Sequence, residues 1–235
     1  MTVLLAGAVL SISSIGLSAG DQVQPKKNAA TNPDSNAFGQ SFAEWLRDYW
    51  SWTYGGPVSQ VQPNKVFMLP VPATPDDAWV IGADGRNIGT AEMDVTVKPG
   101  MKLVLGVLAW LGETYDPTLD PPVPDDSRTQ FTIADFVPPL GQAVITLDGV
   151  ELINDANVAS FYYEPISFEP PIMYAAPSPS GSIGLIFVQG IGIIIQPLTP
   201  GQHTLNLYSW SYWQGLYGAN GMGWDNTWHI TVANP

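Results

Sequence analysis

Alternation of apolar and polar positions marks most of this chain as strand. Across residues 92–98, Met93, Val95 and Val97 alternate with Asp94, Thr96 and Lys98, the period-two pattern of a strand with one wet face. Beyond Pro99-Gly100, residues 101–110 are apolar on both faces through Leu103, Val104, Leu105, Val107, Leu108 and Ala109. That pattern predicts an interior strand, and Gly106 marks a bulge or a close backbone approach. Shorter strands are expected over 64–71 and 78–81. Residues 142–147 and 150–153 flank Asp148-Gly149 and predict a hairpin. Further strands are expected over 158–168, interrupted by Pro165, over 182–196, with Gly190 and Gly192 as bend points, and over 202–213 and 227–232.

One segment breaks the period of two. Ser41 and Glu44 form an S-x-x-E capping box, and Gly55-Gly56 stop the helix 14 and 15 residues after Ser41, which predicts a helix over about 41–54. On a 3.6-residue wheel Phe42, Trp45, Leu46, Tyr49, Trp50, Trp52 and Thr53 fill one arc, and Glu44, Arg47, Asp48 and Ser51 fill the complement. So aromatic a face must be covered, and packing across a sheet is the expected solution. Nine or ten strands, turns rich in Pro and Gly, and one helix predict an all-β fold: a β-sandwich or jelly roll with the helix covering a sheet.

The ends of the chain read differently. Residues 2–17 are apolar and lead into Ser18-Ala19-Gly20, as in a secretion signal with a small-residue cleavage site. Residues 21–37 are polar and aperiodic, as in a linker. The expected organisation is therefore a signal-like segment at 1–20, a linker at 21–37 and a single domain at 38–235, exported to the cell envelope or beyond.

Charge narrows the partners. Charged residues are 12% of the chain, against roughly 25% in an average soluble domain, and after Arg128 there is no Lys or Arg at all. Seven carboxylates remain in that half: Asp135, Asp148, Glu151, Asp155, Glu164, Glu169 and Asp225. Phosphate-rich partners are gripped by cationic side chains, so neither nucleic acid nor an anionic membrane surface is expected as a partner. There are no cysteines, which removes disulfides, thiolate metal sites and thiol nucleophiles together.

The densest candidate chemistry is aromatic. In a strand over 202–213, Tyr208, Trp210 and Tyr212 share one face, with same-face rings about 6.6 Å apart, while Leu205, Leu207 and Trp213 share the other. Tyr217, Asn220, Trp224 and Asp225 border or occupy a Gly-rich loop beside it. Such a row can stack sugars, or it can be the surface that the aromatic helix covers. His203 and His229 could face each other from neighbouring strands and start a metal site. Asp116, Asp120, Asp125 and Asp126, in a long acidic loop over 112–130, could hold calcium, although their spacing matches no EF-hand. No other cofactor is expected. Glu164 and Glu169 are the carboxylates a hydrolase or lyase would use.

Two segments also carry a resemblance. Ser41-Phe42-Ala43-Glu44-Trp45 running on to Tyr49-Trp50-Ser51-Trp52, with Pro197-Leu198-Thr199-Pro200-Gly201-Gln202-His203-Thr204 near the end, resembles a group of uncharacterised secreted bacterial proteins. These share an S-x-x-E-W-x(4)-W-x-W helix and a late P-x-x-P-G-x-H strand entry. The resemblance covers about 25 positions and implies export and a sandwich-like fold, without an activity. The leading expectation is thus a secreted, non-catalytic sandwich that binds a neutral polymer such as a glycan. The alternatives are a self-assembling subunit of an envelope layer or filament, and a polysaccharide hydrolase or lyase.

Overall fold

The predicted helix forms because its ends are satisfied locally and its aromatic face has a sheet to cover. In the computed structural model, which describes residues 29–128, 131–135, 141–212 and 221–234, α1 spans Phe42–Thr53. Ser41 Oγ accepts the backbone N–H of Glu44, and the Glu44 carboxylate accepts the Ser41 N–H at 2.7 Å. Both partners of the capping box are therefore in place. The chain leaves the helix through Gly55, whose φ of 78° is the left-handed conformation that glycine adopts without strain.

Eleven strands follow among the described residues. They are β1 (Val61–Gln62), β2 (Val66–Met68), β3 (Trp79–Ile81), β4 (Asn87–Val97), β5 (Lys102–Tyr115) and β6 (Gly141–Leu147). Then come β7 (Val150–Ile153), β8 (Tyr162–Met173), β9 (Ser182–Ile195), β10 (Gly201–Ser211) and β11 (Met222–Val232). They form a five-stranded sheet, β1-β2-β5-β9-β8, and a six-stranded sheet, β3-β4-β11-β10-β6-β7. The fold is an all-β sandwich with a single α-helix among the described residues. The Asp148-Gly149 hairpin forms as expected, with both turn residues at positive φ.

Although consecutive in sequence, β4 and β5 are not neighbours. The chain crosses between the sheets at Pro99-Gly100, so that β4 pairs in parallel with β11 while β5 pairs with β9 and β2. Burial explains it: β4 has one wet face and suits the six-stranded sheet, whereas β5 is apolar on both faces and needs a cover on each side. Those covers are the six-stranded sheet and α1. The helix side is identified by two register partners, Gly106 and Gly192, which lie under Trp50 and Leu46. A Cβ on Gly106 would sit 2.3 Å from Trp50 Cζ2, and one on Gly192 2.5 Å from Leu46 Cδ1. Gly106 therefore permits close approach, and the bulge falls at the next residue, where the register with β9 shifts.

The layers are tied by polar atoms as well as apolar area. Trp50 Nε1 donates to Tyr163 Oη at 2.7 Å, Tyr49 Oη donates to the Leu69 carbonyl at 3.1 Å, and Trp228 Nε1 donates to the Pro70 carbonyl. The strand exit at 69–70 is thereby held from the helix and from the six-stranded sheet at once. Asp48 and Ser51, expected on the solvent face of α1, are buried. They line a groove of about 710 Å³ between the helix and β8, with Arg47, Pro57 and Glu169 among its other walls. Part of the stretch read as linker is docked: Ala30 bridges to Ile195, and the Thr31 N–H donates to the Ile194 carbonyl.

Candidate functional site

Strand alternation divides the six-stranded sheet into two chemically distinct faces. On β10, His203, Leu205, Leu207, Ser209 and Ser211 point inward; on β11, Trp224, Asn226, Trp228, Ile230 and Val232 do. The outer face carries Thr204, Asn206, Tyr208 and Trp210 beside Asp225, Thr227 and His229. The helix packs on the other sheet, against β5, β8 and β9, so the C-terminal aromatic row is not the surface it covers. That corrects one expectation for the row: β9 and β5 offer the flat, glycine-relieved surface that the helix needs, and the threonine-rich outer face of β10 and β11 does not.

The register sets out the outer face row by row. Tyr208 stands between Val144 and Asp225, and Asp225 beside Thr90. Asn206 stands between Thr146 and Thr227, and its Nδ2 donates to Thr227 Oγ1 at 2.9 Å. Trp210 stands between Gln142 and Gly223 and donates its indole N–H to Gln142 Oε1 at 3.3 Å. The Arg86 guanidinium lies 3.7 Å from the Trp210 ring centroid, and Asp84 pairs with that guanidinium at 3.4 Å. Trp210 is in consequence only 9% exposed, a stacked base under Arg86 rather than an open ring. Tyr208 is half-buried, and Tyr212, just past the end of β10, is 39% exposed. Exposed Glu92, Asp94 and Asp225 make the face acidic.

Of the other residues read as binding candidates, Trp224 does not join this lane. It faces inward and meets Trp79 edge-on, with ring centroids 6.1 Å apart, because it shares the parity of Trp228 and Ile230. Tyr217, Asn220 and Trp213 lie outside the described residues. Arg86, Gln142, Asn206 and Thr227 were not anticipated. Parity places Asn206 and Thr227 beside Tyr208, whereas Gln142 comes from β6 and Arg86 from the turn just before β4, and no local pattern reveals that either meets Trp210.

The metal candidates separate. His203 faces inward and His229 outward, so they lie on opposite faces of one sheet and form no pair. His203 is a structural clamp, its Nδ1 2.7 Å from Asp148 Oδ2 and its Nε2 2.9 Å from the Thr199 carbonyl. His229 Nε2 lies 3.4 Å from Glu92 Oε2. The acidic loop begins only after Tyr115, and its carboxylates are used locally. Asp116 accepts the N–H and hydroxyl of Thr118, Asp125 accepts the Tyr115 N–H, and Asp126 accepts the Glu113 N–H and the Tyr115 hydroxyl. Asp120 is exposed. Among the described residues no three His, Asp or Glu side chains converge as a metal ion requires. Burial, with the Glu113 and Asp125 charges, raises the Asp126 carboxyl above its ordinary range. Glu164 and Glu169 are both exposed on β8, and Glu169 faces the helix-edge groove. No family model matches the chain, and no curated protein matches it in sequence.

Proposed function

We propose that this chain is an exported, non-catalytic binding module whose outer six-stranded face carries a neutral polymer, a glycan above all. The observation that carries the reading is half-buried Tyr208 beside the Arg86-capped Trp210 on a face the helix leaves uncovered, with exposed Tyr212 just past the strand end. With Trp210 covered by Arg86, the ring contact on β10 falls to Tyr208, and the Arg86 guanidinium and its Asp84 partner take the place of the neighbouring ring. Asn206, Gln142, Thr227 and Asp225 supply the amide, hydroxyl and carboxylate groups that orient hydroxyl-rich ligands. The acidic surface disfavours polyanions. Export rests on the apolar segment at 2–17 and on the resemblance to secreted bacterial proteins.

Pull-down against a panel of insoluble polysaccharides, followed by isothermal titration with soluble oligosaccharides of any member retained, tests the reading. Tyr208→Ala is expected to weaken binding about tenfold, the equivalent of one aromatic contact worth about 1 kcal/mol or a little more. A wild-type protein that binds no member of the panel overturns it.

A further inference from the structure

The groove between α1 and β8 is built by two departures from regular structure. After the helix, Gly55 and Gly56 turn the chain back along it. The Gly56 N–H donates to the Ser51 carbonyl at 2.7 Å, and a Cβ on Gly56 would sit 2.3 Å from Ser51 Oγ. On β8, the edge strand of its sheet, the register with β9 jumps from Ser167 opposite Phe187 to Ile172 opposite Leu185. Residues 168–171 thus stand against Ile186 alone, and the excess bulges out of the ladder. Between these two walls lies a groove of about 710 Å³, with Pro57, Pro170 and Pro171 stiffening its lining. Sites for small ligands are typically about 300 to 1,000 Å³ and largely pre-formed.

One group in the groove is buried and poorly served. Asp48 is 9% exposed, yet the one polar contact of its carboxylate among the described residues is Arg47 Nη2, 3.4 Å from Oδ1. Charge-assisted bonds are usually about 2.7 to 2.9 Å long. The Arg47 side chain is itself 44% exposed, so water screens what it offers. Oδ2 is left without a donor among the described residues. A buried carboxylate in this state carries a desolvation cost that a well-placed donor offsets.

Glu169, exposed on the β8 side, adds a second negative charge, so two carboxylates face the groove against one cation. Val58, Phe168, Ile172 and Met173 supply apolar wall. An anion would meet both carboxylates, and an uncharged ligand would leave the Asp48 charge unanswered. A bare metal ion is not served, since no three His, Asp or Glu side chains converge among the described residues. A cationic head on a hydrocarbon body matches both the carboxylates and the apolar wall.

We infer that this groove binds a small organic cation, an ammonium or guanidinium group carried on a hydrocarbon chain, with the head on Asp48 and the chain along Phe168 and Met173. The site lies on the helix side of the five-stranded sheet and does not depend on the outer face of the other sheet.

The test is calorimetric titration of the full chain with hexylamine, cadaverine, agmatine and spermidine, beside uncharged hexanol and anionic hexanoate. At least one of the four cations is expected to bind, about tenfold or more tighter than hexanol or hexanoate, and raised salt should weaken it. Asp48→Asn should weaken that binding about tenfold, and Glu169→Gln about threefold, because Glu169 is exposed to solvent. Asp77→Asn, at an exposed position just before β3 on the other sheet, should leave it unchanged, as should Tyr208→Ala. If Asp48→Asn does not fold, Met173→Lys carries the comparison: that position is 57% exposed in the groove, and a competing ammonium there should cause the same loss. Failure of all four cations to bind overturns the inference. So does hexanol or hexanoate binding as tightly as hexylamine, or binding that survives both Asp48→Asn and Met173→Lys intact. An equal loss from Asp77→Asn overturns it too, because net charge rather than the groove would then hold the cation.

Discussion

Gly106 and Gly192 decide how closely the helix approaches the sheet. Each lacks the one atom that would collide with an aromatic or branched side chain above it. In Gly106→Ala the new Cβ meets the rigid Trp50 indole, and neither the ring nor β5 can yield cheaply. The expected loss is about 1 to 3 kcal/mol, read as a lower urea midpoint with an unchanged slope. The sequence marks Gly106 as a place of close approach, because glycine inside an apolar strand has few other uses. What approaches it is illegible locally: Trp50 lies 56 residues upstream, and nothing between the two positions encodes the contact. The same holds for Arg86 and Trp210, whose stacking turns an expected open ring into a covered one.

At the scale of elements, α1 is specified at its ends by local chemistry and held by its aromatic face. The capping box and the glycine exit involve partners within a few residues, so they are readable in sequence. A helix of 12 residues is marginal by itself, and its stability here comes from burying Trp45, Leu46, Tyr49 and Trp50. Trp45 is 2% exposed, and Trp45→Ala is expected to cost about 3 to 5 kcal/mol in equilibrium unfolding. Should the variant unfold at the wild-type midpoint, the helix is not part of the cooperative core. The wheel misplaced Asp48 and Ser51 because it treats a helix as having one buried arc. Residues 55–58 and 167–173 add a second wall along its polar edge.

Across the whole molecule, tyrosines are concentrated where the helix meets the five-stranded sheet. Burial raises the hydroxyls of Tyr49, Tyr163 and Tyr174 well above the usual phenol range, and pushes Tyr54 up to about 12. For Tyr174 the Glu113 carboxylate, which accepts its O–H at 2.7 Å, adds to the rise. The unfolded chain releases these protons near pH 10, and the native state keeps them to higher pH. Between those limits the native state binds more protons, so stability falls as pH rises past about 10. Thermal melts taken across that range should show a steep alkaline loss, and Tyr54→Phe should make it shallower. A melting temperature that holds level through pH 11 would contradict the buried state of these rings.

The sequence by itself determined whatever depends on neighbours a few positions apart: strand periodicity, the faces of β10 and β11, the capped helix, the Asp148-Gly149 turn, and an acidic skin poor in cations. Those features follow from backbone geometry and side-chain alternation, which act over one turn or one hairpin. Only the tertiary structure decided which sheet the helix roofs, that β4 pairs with β11, and that Arg86 covers Trp210. Such outcomes depend on matching apolar area and polar partners between segments far apart along the chain, and no local pattern carries that information.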